Sequence, residues 1–196
     1  MKDYITENWV EIAGAVLSLL YLYLSIREKS ALWIFGFISS VLYIFVFFES
    51  KLYADMSLNF YYLGVSIYGW INWHRKNGQF KDSGLHITRI SGKRQILSYL
   101  FGTIFVYLAY YLVLELLTDS TIPVADSVVG ALSVIATWML ARKKIENWLV
   151  WIVVDAFAAG LYLYKGLYPT TILFIIYTIM AVVGYYQWKK TPDAIK

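Results

Sequence analysis

Residues 126–151 read DSVVGALSVIATWMLARKKIENWLVW, and 115 positions earlier residues 11–36 read EIAGAVLSLLYLYLSIREKSALWIFG. Each stretch is an apolar run, a basic cluster and the start of a second apolar run marked by a tryptophan. The same shift continues without a gap and pairs Glu11–Arg75 with Asp126–Lys190. Identities fall at Leu17/Leu132, Ser18/Ser133, Arg27/Arg142, Lys29/Lys144, Trp33/Trp148, Leu52/Leu167, Tyr53/Tyr168, Leu58/Leu173, Tyr62/Tyr177, Gly69/Gly184 and Trp73/Trp188. In so biased a composition, helices of similar length can align by chance. Here one register serves three consecutive apolar runs and both loops, and it superposes tryptophans, tyrosines and basic loop residues. The reading is an internal duplication.

Composition sets the solvent. Apolar side chains make up 60% of the chain and charged ones 15%, with a mean hydropathy of +0.57. Soluble domains hold about half apolar and about a quarter charged residues. A disordered chain is excluded, as are a collagen-like fibre and, without any cysteine, a disulfide scaffold. The net charge of +4 would raise nucleic-acid binding in a soluble protein; in a chain this apolar no nucleic-acid partner is expected, and the charge tests the positive-inside rule instead. The fold class is an all-α integral membrane protein, with the lipid bilayer as its surroundings.

A spanning helix needs about 20 mainly apolar residues. That ruler finds seven spans, Trp9–Ile26, Ala31–Phe48, Tyr53–Trp73, Ile96–Leu117, Ala125–Leu140, Trp148–Leu163 and Leu167–Trp188, with a polar stretch from Asn77 to Arg94. Pro123, Pro169 and Pro192 all fall at span edges or in tails, where helices tolerate proline. Seven spans leave Lys2, Lys51 and Lys165 on one face and the other fourteen of the seventeen basic residues on the opposite one. The expected orientation is therefore amino terminus outside and carboxyl terminus cytoplasmic. Asp3 and Glu7 in the leading residues, and the absence of a small-residue cleavage site, argue against a signal peptide.

Two three-span units joined directly would point in opposite directions. A fourth span between them turns the chain round, giving 3+1+3 parallel repeats as in the SWEET transporters. The expected division is residues 1–76 for the first repeat, 77–124 for the loop and linker helix, and 125–196 for the second repeat and tail. Small transporters of this design place the substrate near midplane between the repeats.

Few residues carry chemistry. His74 and His86 lie in the basic stretch and read as solvated. No cysteine and no intramembrane histidine pair supports a zinc or haem site. Ser91-Gly92-Lys93-Arg94 lacks the upstream glycine of a phosphate loop, and the last span has no lysine for a retinal Schiff base. No cofactor and no metal is expected. Asp155, near the centre of the sixth span, stands out, because a carboxylate there is costly and usually functional. Trp148, Trp151 and Asp155, spaced i, i+3, i+7, share one helix face. Two indoles and an acid suit a flat aromatic cation, by cation–π contact and charge neutralisation. The alternatives are interfacial anchoring for the tryptophans and, for Asp155, pairing with a polar group of a neighbouring helix. Facing candidates are Asn59, Tyr62 and Ser66 on the third span, Tyr177 as the repeat partner of Tyr62, and Ser40 at the position equivalent to Asp155. Glu11, Asp55 and Asp126 gather at the outer mouth, as solvated helix ends or a shallow anionic funnel.

Glu146-Asn147-Trp148-Leu149-Val150-Trp151 with Asp155, and then Leu161-Tyr162-Leu163-Tyr164-Lys165-Gly166-Leu167-Tyr168, resembles the sixth-span region of the PnuC-type vitamin transporters. So do Leu52-Tyr53, Asn59-Phe60-Tyr61-Tyr62 and Tyr68-Gly69-Trp70-Ile71-Asn72-Trp73, and the resemblance covers about Trp9 to Lys190. It implies the 3+1+3 fold, the bacterial inner membrane, a homo-oligomer, and facilitated diffusion of a small vitamin with no ATP or ion coupling. It also implies that Trp148 and Trp151 line the substrate site with help from polar groups such as Asn59. The family's best known substrate is nicotinamide riboside; close relatives carry thiamine, and others are linked to riboflavin. Both cationic vitamins fit an aromatic slot closed by Asp155, and neutral, larger riboflavin fits less well. Ser39-Ser40, where an amide could read a carboxamide, leaves thiamine open beside nicotinamide riboside. A membrane-embedded transferase would need a second reactive group at the depth of Asp155, and a non-transporting sensor subunit would not need the aromatic and acidic face.

Overall fold

The computed structural model describes residues 9–49, 53–74, 85–118 and 121–191, with side chains from Ala15 in the first helix and from Met56 in the third. The described residues form seven helices: α1 (Trp9–Ile26), α2 (Leu32–Glu49), α3 (Tyr53–His74), α4 (Lys93–Leu117), α5 (Pro123–Ala141), α6 (Asn147–Tyr164) and α7 (Tyr168–Lys189). Every boundary lies within three residues of the apolar runs read from the sequence. The reason is physical: each run stops at a charged cluster or turn residue. Pro123 and Pro169 occupy the first turns of α5 and α7, where a missing N–H costs nothing. Gly166 closes α6 at φ 75°, letting the Leu167 N–H return to the Tyr162 carbonyl at 2.9 Å; a side chain would oppose that left-handed turn.

Among the described residues, five helices, α2 and α4 to α7, are long and apolar enough to cross a membrane. The described side chains of α1 form a shorter apolar stretch, Ala15–Ile26. The most extensive pairings are α6 with α7 and α2 with α3, followed by α4 with α5; α1 packs on α7 and α3 on α5 to equal extents. Burial is uneven. Half of the apolar stretch of α5 is buried, against 6% in α4, whose Ile96, Leu97, Leu100, Phe101 and Phe105 point outward. In water such a surface would aggregate; in lipid it is in its own solvent.

Residues related by the 115-residue shift make matching local structures. The turn after α1 places Glu28 at φ 53°, and the turn after α5 places Lys143 at φ 48°. In both turns the next residue's N–H reaches back five residues, Lys29 to Leu24 and Lys144 to Met139, each at 2.9 Å. A left-handed non-glycine residue is uncommon and is held by its surroundings. Here the two strained residues hold each other, with Lys143 Nζ 2.9 Å from Glu28 Oε2 and 4.7 Å above the Trp73 ring. The third helix of each trio also reaches the end of the other trio's first helix. Trp188 Nε1 donates to the Ile26 carbonyl at 3.2 Å, and Asn72 Nδ2 donates to the Ala141 carbonyl at 2.9 Å. Both satisfy carbonyls that a helix end leaves unpaired.

The polar stretch before α4 is not all free coil. Ile87 is 1% exposed, and Thr88 bonds across to the α5–α6 turn, its N–H to Lys143 O and its carbonyl to Ile145 N, both at 3.0 Å. Ile90 N–H donates to Glu146 Oε1 at 3.0 Å. His74, read as solvated, is exposed but engaged: its ring shares a hydrogen bond with Ser30 Oγ at 3.2 Å and lies 4.3 Å from the Trp70 ring.

Candidate functional site

The site grows from the start of α6. Asn147, fully buried, donates Nδ2 to the Lys144 carbonyl at 2.6 Å and so fixes the helix entry. Trp148 follows, and its ring lies flat on the backbone of Gly184 in α7, where an added Cβ would fall 2.7 Å from the indole. The ring meets Trp188 edge-on at 5.4 Å and 90°. The first trio repeats the arrangement: Trp33 covers Gly69 and meets Trp73 edge-on at 5.5 Å and 89°. Trp73 and Trp188, 6.4 Å apart, join the pairs into a buried chain of four indoles at the basic end of the bundle. Edge-to-face contacts of this kind stabilise by about 0.5–1.5 kcal/mol each beyond area burial.

Trp148 is therefore a core side chain. It shares a helix face with Asp155, as the spacing requires, but its ring is taken up by packing and is 1% exposed. Its Nε1–H is nevertheless buried without a hydrogen-bond partner, as are those of Trp33 and Trp73 and the Oδ1 of Asn147. Each such group carries an unmet demand of about 1–3 kcal/mol. Trp151, one turn on, is half-buried against the same core.

Asp155 lies one turn deeper and is 5% exposed. Tyr177 of α7 is within its electrostatic reach and is hydrogen-bonded to Ser18 of α1, with Tyr43 of α2 also nearby. Tyr177 thus links the buried carboxylate of α6 to polar groups on α1 and α2. Among the predicted residues, the structure brings Asp155 and Tyr177 together.

The remaining candidates gather on the first trio. Ser40 is buried, and its Oγ donates to the Gly36 carbonyl of its own helix at 2.8 Å, so its proton is already spent. Gly36 lets α3 approach closely: a Cβ there would fall 2.8 Å from Ser66 Oγ and 3.4 Å from the Tyr21 ring. Tyr62 lies within electrostatic reach of Tyr21, Tyr61 and Tyr110, and Tyr61 donates to the Val134 carbonyl at 2.7 Å. Asn59 is half-buried and has an interaction partner of its own. Helix α1 runs between the two groups, with Ser18 toward Tyr177 and Tyr21 toward Gly36. Ser18 and Tyr21 were absent from the sequence-derived set, although the identity of Ser18 with Ser133 was a signal. Of the outer-mouth acids, the side chains of Glu11 and Asp55 lie outside the described residues, and Asp126 pairs with Lys165 at 3.8 Å. An ion pair exposed on this scale is worth about 0–1 kcal/mol.

Comparison with known proteins converges on this architecture. The sequence is 27% identical to the nicotinamide riboside transporter PnuC of Escherichia coli, over 92% of this chain and 85% of that one. It is 26% identical to the PnuC of Neisseria mucosa, over 94% and 73%. It is 25% identical to the riboflavin/roseoflavin transporter RibM of Streptomyces davaonensis, over 92% and 84%. A crystal structure described as the vitamin B3 transporter PnuC superposes with a TM-score of 0.71 at 24% identity, covering 95% of this chain and 83% of that one, a likeness that carries the fold. The family described as nicotinamide mononucleotide transporter matches residues 8–190. With nearly its whole length matched, the chain belongs to this family of multi-pass membrane transporters, which are not enzymes.

Proposed function

We propose that the chain carries nicotinamide riboside across the bacterial inner membrane by facilitated diffusion. The observation that carries this reading is Asp155, a carboxylate buried mid-helix within electrostatic reach of Tyr177, which is itself hydrogen-bonded to Ser18 of another helix. An uncompensated charge at that depth costs about 2.5–3.5 kcal/mol, and a pyridinium cation would offset it. The relatives from Escherichia coli and Neisseria mucosa, named for nicotinamide riboside, support the choice. RibM, named for riboflavin at similar identity, makes substrate identity a matter for experiment.

Seven membrane spans in a 3+1+3 arrangement, amino terminus outside, follow from the same reading. The matched turns at Glu28 and Lys143 and the matched tryptophan–glycine contacts favour two equivalent trios, 11–75 and 126–190, with α4 on the outside reversing the chain. Transport proceeds by rocking of these trios about a midplane site lined by Asp155, Tyr177 and Trp151. Trp148 forms the wall behind them, its ring held against Gly184. Asn59 and Tyr62 contribute from the first trio, and Ser40, whose hydroxyl is turned back on the Gly36 carbonyl, helps only to shape that side. With one acid at that depth there is no relay for protons, and movement follows the substrate gradient.

Calorimetry on the purified protein with nicotinamide riboside, thiamine and riboflavin side by side tests the assignment. Nicotinamide riboside is expected to bind, and Asp155→Asn to weaken it at least about tenfold. Tighter binding of thiamine moves the substrate, and unchanged affinity in both Asp155→Asn and Trp151→Ala moves the site. Accumulation against a gradient in sealed vesicles that collapses with a protonophore overturns uncoupled transport.

A further inference from the structure

A second polar site lies outside the bundle's centre. Between α4 and the end of α5 is a cleft of about 300 Å³ whose lining includes Gln95, Ser98, Tyr99, Trp138, Arg142 and Lys144. Its cations are positioned by their surroundings. Arg142 lies over the Trp138 ring at 4.5 Å and is hydrogen-bonded to Tyr99. Trp138 is itself braced by Tyr68, stacked at 4.9 Å. Lys144 Nζ is held by the Arg89 carbonyl at 3.1 Å, which leaves two of its three protons to donate. Burial pushes Lys144 below the ordinary lysine value, Glu146 opposes this, and Arg142 adds a smaller push in the same direction as burial. Glu146 does not line the cleft, and one of its oxygens is taken by the Ile90 N–H.

The surroundings select the occupant. Ile96, Leu97, Leu100 and Phe101 lie round α4 from the cleft-lining Gln95, Ser98, Tyr99 and Gly102 and are roughly half or more exposed, so the cleft opens beside a helix whose outer face is apolar. Basic pockets between spanning helices at the membrane surface suit lipid head groups, and guanidinium pairs with phosphate through two parallel hydrogen bonds. We propose that this cleft is a binding site for the phosphate of an anionic phospholipid, with Arg142 and Lys144 taking the phosphate, Ser98 and Gln95 the remaining polar head group, and α4 the acyl chains.

The experiment is native mass spectrometry of the purified full chain, delipidated and given phosphatidylglycerol or phosphatidylcholine. Wild type is expected to retain phosphatidylglycerol in preference to phosphatidylcholine. Arg142→Gln with Lys144→Gln should lower that retention about thirtyfold, the change that roughly 1 kcal/mol for each of two basic residues near a membrane surface gives. Ser98→Glu, which leaves the Arg142 contacts in place, should do the same by repulsion and serves if the double variant does not fold. Lys189→Gln with Lys190→Gln removes equal charge from the same end and should leave retention unchanged. Equal retention of the two lipids, no loss in Ser98→Glu, or an equal loss in the Lys189/Lys190 control overturns the proposal. Displacement of the lipid by millimolar inorganic phosphate assigns the cleft to a soluble phosphate and overturns the lipid assignment.

Discussion

The two tryptophan–glycine contacts and the positions next to them behave in opposite ways. Trp33 on Gly69 and Trp148 on Gly184 are nearly identical, down to edge-on partners at 5.5 and 5.4 Å. One turn along, Gly36 stands where the second trio has Trp151, and Ser40 where it has Asp155. The bulk also changes helix: Tyr21, Gly36 and Ser66 in the first trio correspond to Ala136, Trp151 and Ala181 in the second. A large ring on the first helix opposite glycine on the second becomes alanine opposite tryptophan. What the trios share is what packs them; what distinguishes them is the polarity and shape around one acid.

The comparison can be broken at its shared part first. Gly184→Ala and Gly69→Ala each drive a methyl into an indole that has no room to yield, and each should destabilise by about 1–3 kcal/mol, read as a lower unfolding midpoint in detergent. If one is tolerated and the other is not, the two contacts are not equivalent. Next comes the divergent part. Asp155→Asn should cost at least about 1.4 kcal/mol in affinity for nicotinamide riboside with little change in that midpoint. Ser40→Asp on top of it should not restore binding, because the Ser40 side chain is turned back on its own helix. A smaller effect is expected at the clasp between the turns. Glu28→Gln and Lys143→Gln should show a coupling of about 1 kcal/mol in a double-mutant cycle, and exchanging the two residues should recover part of it. The smallest concerns Asp126→Asn, which should change stability by less than about 1 kcal/mol, measurable only at low salt.

Helix positions were legible because hydropathy and charge act locally. Arg27-Glu28-Lys29 ends one run and Arg142-Lys143-Lys144 another, and no tertiary knowledge is needed to see it. Trp148 shows the limit. Its spacing from Asp155 is fixed by helical period, but whether its ring meets a cavity or Gly184 depends on how closely α7 approaches. The clue was its twin, Trp33: an indole retained in both trios, each with a glycine 36 residues later, marks packing. Tyr21 and Ser18 were not legible as site residues, since α1 reads as mainly apolar and only its place between α2 and α7 gives them a role. The docking of Ile87 and Thr88 on the α5–α6 turn was hidden inside a stretch whose average polarity suggested coil.

The ion pair of Glu28 with Lys143 joins residues that occupy the same place in the two trios. A contact between counterparts lies close to whatever axis relates them, and there it acts as a hinge pin. Parting the trios at the far end of the bundle can leave it intact, swivelling about its 2.9 Å length. Parting them at the basic end must pull it open and lift the lysine off Trp73. On the proposed rocking of the trios, the two ends would open unequally: one would swing freely, and the other would be latched.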